Sequence, residues 1–417
     1  MALVQGTDGY LYGTTALGGA NGYGTIFKIS TSGALTTVHS FARADGAQPY
    51  AGVIQATDGS IYGTTFTGGA HNQGTIFKMS LDGTLTTLHS FDGTDGARPI
   101  CALVQATDGN FYGTTNSGGT YLAGTVFRIT PGGTLTTLHV FGSVNNDGNF
   151  PYSGLIQAVD GNLYGTTKGG GVYGDGTIFE ITLVGILTII HSFNAATEGA
   201  HPYGALAQAE DGDFYGTCGP FSSGYDGNGA VFKLTSNDTL TTIYEFESRY
   251  GKYPIAGLVQ ATDGVFYGST RNFPHDGTGG TLFKITSKGT LTVQEIFRGN
   301  GYEPEGAMLQ ATDGNFYGTT NGGGTNGDGT VFSLAVGLGP FIKTNPTSGV
   351  VGTAVTILGM DLTGATSVSF NGTAAVFTVV SPSEIMAAVP NGATTGKVQV
   401  ATPGGSLLSD VAFRVTQ

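Results

Sequence analysis

The chain has no tryptophan, two cysteines and five methionines, and only 11% of its 417 residues are charged. Each shortage excludes something. So little charge rules out a coiled coil and a charge-rich disordered chain. Cys101 and Cys218 give no metal framework, and because they fall in different repeat units they are expected to be free thiols, buried in place of Ala or Thr. Basic residues are scarce, with 16 Lys and Arg against 29 Asp and Glu and a net charge of −13. A protein that neutralises phosphates needs a basic face, so nucleic acid and anionic membrane surfaces are excluded as partners. No apolar run approaches the ~20 residues that span a bilayer.

Glycine is what the chain has in abundance, 73 residues of it, alternating with Val, Ile, Phe, Tyr and Thr and following no three-residue period. This reads as many short strands joined by tight turns, and not as collagen. An Asp-Gly pair followed two residues later by Tyr-Gly (Leu-Tyr-Gly, Phe-Tyr-Gly and the like) recurs seven times, at Asp8, Asp58, Asp108, Asp160, Asp211, Asp263 and Asp313. The spacings are 50, 50, 52, 51, 52 and 50 residues. A period near 50 with four strand-like segments per unit predicts an all-β fold, a seven-bladed β-propeller over residues 1–334.

One unit shows the four segments. Leu103-Val104-Gln105-Ala106 precedes the turn Thr107-Asp108-Gly109, and Asn110 to Thr115 follows. A Gly-containing loop leads to Gly124 to Thr130, and after Pro131-Gly132-Gly133 comes Thr134 to Phe141. We name these strands A to D, with A innermost. The A–B and C–D turns are short, whereas the B–C loops and D–A connections are long. Because strands alternate direction, both long sets emerge on one face, and function is expected there. The repeated aspartates read as turn residues. The glutamines Gln5, Gln55, Gln105, Gln157, Gln208, Gln260 and Gln310 lie in the inner strands and are expected to bond neighbouring blades. His39, His89, His139 and His191 share one D-strand position with Tyr244 and Glu295, which suits packing or surface better than a catalytic base.

Repetition stops after Leu334. Residues 335–340 form a short linker, and 341–417 carry Pro346-Thr347-Ser348-Gly349, Gly352-Thr353-Ala354-Val355-Thr356-Ile357-Leu358-Gly359, Val368-Ser369-Phe370-Asn371-Gly372, Val389-Pro390 and Thr402-Pro403-Gly404-Gly405. This segment closely resembles the IPT/TIG family of immunoglobulin-like β-sandwiches, which implies a spacer or binding module and no catalysis. The Gln-Ala-x-Asp-Gly-x-Phe-Tyr-Gly-Thr-Thr core with its following Gly-Thr-x-Phe-x-Ile resembles the Gloeobacter–Verrucomicrobia type of tandem repeat. That resemblance implies an extracellular setting and supplies no catalytic residues. Low Lys with heavy Thr, Gly and Tyr usage also suits an exported protein, although Met1-Ala2-Leu3 enters a strand directly and no signal peptide is present in this chain.

Residues that break the repeat concentrate in the long loops. The ligand-binding candidates are Tyr50, Arg98, Tyr152, His201, Tyr203, Lys252, Tyr253, Arg271, His275, Glu303 and Glu305. A tyrosine-rich rim with scattered Arg, His and carboxylates suits a glycan, because Tyr offers an apolar face and a polar tip; the lack of Trp counts mildly against it. No cofactor and no metal are expected. The leading reading is a secreted binding or surface scaffold for an extracellular glycan. One alternative is a polysaccharide-active lyase or glycosidase using His201, Tyr203, Arg271, His275, Glu303 and Glu305. Another is a structural subunit: unit seven has no D segment, which leaves an open edge for self-association by strand addition.

Overall fold

The computed structural model describes residues 1–219, 228–273, 279–299 and 301–416. The repeats build a seven-bladed β-propeller, each blade a meander whose strands A to D run outward from the ring axis. In the third blade A is Val104–Gln105, B Phe111–Thr115, C Thr125–Ile129 and D Leu135–Val140, all paired antiparallel. Every C–D pair carries a one-residue register shift, between Val126 and Phe127 in this blade, which adds twist to the outer edge.

The motif residues have separable jobs. The Tyr-Gly glycine is required because the C-strand phenylalanine lies flat on it; an added Cβ at Gly113 would sit 2.6 Å from Phe127 Cζ. The phenylalanine that ends each D strand packs edge-on against the C-strand phenylalanine of the next blade, Phe91 on Phe127 and Phe141 on Phe179 both at 5.4 Å. Fully burying one such ring contributes roughly 1.5–3 kcal/mol. The turn aspartates do more than turn the chain. In every blade one carboxylate oxygen accepts the hydroxyl of the buried Tyr four residues on, as in Tyr112 to Asp108 at 2.8 Å. The D-strand histidines are hooks: His39, His89, His139 and His191 bond Asp45, Asp95, Asp147 and Glu198 of the following connection at 2.6–3.0 Å.

The inner-strand glutamines join blade to blade. Each Gln Oε1 accepts the backbone N–H of the residue before the turn aspartate in the preceding blade, at 2.8–3.1 Å, from Thr7 to Gln55 round to Glu210 to Gln260 and Thr262 to Gln310. The circuit closes where Thr312 N–H donates to Gln5 at 2.9 Å and Gln5 Nε2 donates back to the Thr312 hydroxyl at 2.9 Å. A second circuit runs from the first Thr of Tyr-Gly-Thr-Thr to the carbonyl that leads into the next A strand, as in Thr217 to Ala256 at 3.0 Å.

Blade seven has three strands, and its outermost, Thr330–Leu334, has no strand beyond it among the described residues. Its residues are correspondingly less buried than those of the other C strands. The linker does not cover this edge. It turns inward, packing Val336 and Leu338 against the cluster between blades six and seven, and Phe341 N–H then donates to the Thr312 carbonyl.

The C-terminal unit is a β-sandwich of two sheets around Ile342, Val355, Ile357, Val368, Phe370, Ile385, Val398, Val400 and Phe413. It sits on the short-turn face. Ser383 Oγ donates to the Thr7 carbonyl at 2.7 Å, Asn345 Nδ2 to Gln55 at 3.3 Å and Lys343 Nζ to Gln310 at 2.6 Å, all inner turns of blades one, two and seven. Lys397 reaches Glu210 of blade five, across the ring, at 2.6 Å. The sandwich therefore spans the axis. Removal from water pulls the Lys343 ammonium below its usual range, opposed by the charge of Asp410.

Two outcomes are expected. Gln5 and Thr312 are 6% and 0% exposed, whereas the bond from Thr107 to Gln157 is open to water. Gln5→Ala should thus cost about 2 kcal/mol in denaturant unfolding and Gln157→Ala about 1 kcal/mol or less; equal costs would refute a ring held at its closure. Burial first, and the Asp carboxylate second in most blades, push all seven inner tyrosine hydroxyls up, to about 12 at Tyr267 and Tyr317. The folded chain keeps protons that the unfolded chain releases. Stability should hold below pH about 10, fall as pH rises from there through the folded values, and fall less steeply in Tyr112→Phe. A flat profile across that window would contradict the assignment.

Candidate functional site

The D–A connection of one blade pairs with the B–C loop of the next, through bridges such as Ala97 to Ser117 and Tyr302 to Gly322, so both long loop sets share one face. Six connections contain an X-Pro-Y step: Gln48-Pro49-Tyr50, Arg98-Pro99-Ile100, Phe150-Pro151-Tyr152, His201-Pro202-Tyr203, Tyr253-Pro254-Ile255 and Glu303-Pro304-Glu305. The residue before each proline is left-handed, with φ between 52° and 59°. A side-chain-bearing residue there stores on the order of 1–3 kcal/mol of strain. Each is held by a bond from its own N–H to the B–C loop of the preceding blade, at 2.7–2.9 Å. Four of them also accept, at 3.0–3.2 Å, the N–H of the residue after Thr-Thr (Ser269-Thr270 in blade six), namely Phe66, Asn116, Arg271 and Asn321. The rim is therefore written by three variable positions per blade, X, Y and the residue after Thr-Thr, on a fixed backbone.

These positions gather into three groups. The first joins Tyr152, Tyr203 and His201 with Lys168, which the loop reading missed. The two tyrosine rings meet edge to face at 5.3 Å, and Lys168 Nζ stands 5.8 Å and 5.4 Å from their centroids. His201 Nδ1 donates to the Lys168 carbonyl at 2.7 Å, which fixes that tautomer and leaves Nε2 as the acceptor of the neutral ring. Asn116, Asn149, Phe150, Tyr152, Lys168, Gly169, Gly174 and His201 line an open pocket of about 480 Å³, within the ~300–1,000 Å³ of small-ligand sites. It lies where the B strand of blade four lengthens to Leu163–Gly170 and takes Gly148–Pro151 as an extra partner. Burial, and then the field of Tyr203, raise the Tyr152 hydroxyl above its ordinary value.

The second group is Tyr50 edge-on to Phe66 at 5.2 Å, with the Arg98 guanidinium 5.7 Å from the same ring. The third is Arg271 between two carboxylates, Glu305 at 3.0 Å and Glu303 at 3.5 Å, with Asn321 donating to Glu303 at 3.0 Å. Lys252 and Tyr253 are half-buried, and the Lys252 backbone bridges Asn272. His275 lies outside the described residues. Of the catalytic alternative, His201 and Tyr203 belong to the connection between blades four and five, and Arg271, Glu303 and Glu305 to the ion-paired cluster at blades six and seven. Among the described residues no three His, Cys, Asp or Glu side chains stand together as a metal site.

Both cysteines are free and buried, and burial pushes each thiol up to about 12. Cys218 faces Ala230 where the other described blades pair two threonine hydroxyls, as Thr115 with Thr125 at 2.9 Å. Both partners of that bond are replaced together, so no buried hydroxyl is stranded.

Residues 1–220 and 156–377 match the Gloeobacter/Verrucomicrobia repeat. The chain belongs to this repeat family. The second stretch runs past the last blade strand into the sandwich, whose own match, to the IPT/TIG domain, covers 341–415. Comparison with curated proteins finds no match. Among solved structures, the periplasmic gluconolactonase of Pseudomonas aeruginosa is 15% identical, with a TM-score of 0.52 over 91% of this chain and 99% of that one. A puromycin hydrolase is 12% identical, with a TM-score of 0.53 over 79% of this chain and 51% of that one. At such identities the likeness is one of fold alone. No helix among the described residues is long and apolar enough to cross a membrane.

Proposed function

We propose that the protein is a secreted or surface-displayed scaffold that binds a glycan at the rim of blades three to five. The observation that carries this reading is an open pocket lined by Tyr152, Lys168 and a histidine of fixed tautomer, with Tyr203 at right angles behind Tyr152 and the lysine near both rings. Tyrosine faces cover the C–H surface of a sugar, while the amides of Asn116 and Asn149 and the tyrosine hydroxyls meet its hydroxyl groups. The IPT/TIG domain fits a surface or binding protein. The rim carries the variation while the opposite face is occupied by the sandwich, which supports the rim as the working surface. Tyr152→Ala and Tyr203→Ala should each weaken glycan-array binding about tenfold or more. Asp108→Ala, on the other face, should lower the melting temperature and leave affinity unchanged. Loss of binding from Asp108→Ala without loss of stability would move the site. Release of products from a bound polymer would replace this reading with the lyase or glycosidase.

A second reading, self-association, is favoured by blade seven alone. Thr330–Leu334 presents an uncharged edge, and among the described residues Phe27 of blade one lacks the D-strand phenylalanine that the other six C strands receive. An unguarded edge is a template for another strand. Sedimentation should show mass rising with concentration, and Ser333→Lys, placed on that edge, should abolish the rise. A monomer at every concentration, with protected edge amides, would refute it.

A further inference from the structure

The glycan reading leaves the class of sugar open, and the charge around the pocket narrows it. The chain has 29 Asp and Glu against 16 Lys and Arg, yet no carboxylate lines this pocket. Lys168 and Arg271 occupy the same repeat position, the residue after the second threonine of strand B. Arg271 is paired with two carboxylates, Glu303 and Glu305, which outweigh its single charge. Lys168 forms no ion pair among the described residues, and its ammonium stands over two aromatic rings.

The acidic groups nearby are already engaged. Asp175, which follows the pocket residue Gly174, accepts the Ala195 N–H at 2.9 Å. Glu305, whose field reaches Tyr152, is held by Arg271. The pocket thus offers one cation without a counter-ion, one imidazole whose Nε2 has no protein partner among the described residues, and an aromatic wall.

We infer that this pocket takes an acidic sugar, a uronate, with its carboxylate on Lys168, Nε2 of His201 within the same pocket, and its ring against Tyr152, which Tyr203 backs edge to face. A carboxylate supplies the charge that Lys168 lacks, and a charge-assisted bond is about twice as strong as the neutral one a hydroxyl would make. The backbone of His201 is held before Pro202 at φ 52°, so the imidazole is positioned before any ligand arrives.

This inference rests on the glycan reading, and the test separates the two. Titration calorimetry of the full chain would compare trisaccharides of galacturonate, glucuronate and mannuronate with their carboxyl-reduced counterparts. The expected result is that at least one acid binds about tenfold or more tighter than its neutral counterpart. That preference should shrink with added salt, vanish in Lys168→Met and survive in Lys168→Arg, with melting temperatures unchanged. Equal or tighter binding of the neutral sugars would overturn the acidic assignment and leave the glycan reading standing. A preference that persists in Lys168→Met would also overturn it. Binding of neither series, here and on a glycan array, would remove both.

Discussion

The register of blade against blade depends on one amide side chain used seven times. The inner-strand glutamine accepts a backbone N–H from the blade before it, and in blades two to seven its own Nε2 reaches back to the turn that follows, as Gln157 does to the Gly161 carbonyl at 2.9 Å. A propeller blade is short of hydrogen-bonding partners at its inner end, because the A strands are only two residues long and do not pair with one another. The clasp supplies that missing continuity. It also fixes the spacing of the A–B turns, and so the platform on which the sandwich rests. The apolar contacts between blades do most to hold them together, but a phenylalanine stack tolerates small rotations that a bidentate amide does not.

The division of labour between the two faces follows from chain direction. Short turns emerge where the sandwich docks, and their aspartates are occupied with tyrosine hydroxyls. Long loops emerge on the other face, where the backbone is pinned by the X-Pro-Y step and three side chains per blade are free to differ. The strained residues before proline break a local rule, and they are one of the three positions per blade that present side chains at the rim.

Most of the fold was legible because the signal was repeated. Seven copies of Asp-Gly-x-x-Tyr-Gly at a near-constant period leave little choice of architecture, and the motif sequence of residues 346–405 identifies the sandwich. The bond between Gln5 and Thr312 was foreseeable as a buried polar residue in need of a partner. The link from Asp108 to Tyr112 was not separable from a turn role, since both place an aspartate before glycine. The histidine hooks were hidden because their acidic partners drift, Asp45 lying six residues after His39 and Asp147 eight after His139. At the rim, Tyr152, His201 and Tyr203 stood out as departures from the repeat. Lys168 did not, because a lysine beside glycines reads as solvent-facing; its signal was its position after Thr-Thr, shared with Arg271. The docking of the sandwich rests on Lys343, Ser383 and Lys397, residues that repeat nowhere and announce nothing.

The placement of that sandwich has a consequence for traffic through the molecule. A propeller left open at both ends is a tube. Here one end of the axis is spanned from blades one, two and seven to blade five, which makes the ring a bowl with a single mouth. A polymer bound as proposed above would not be threaded from face to face; it would lie across the rim or present one of its ends, and a chain end that entered would leave by the way it came.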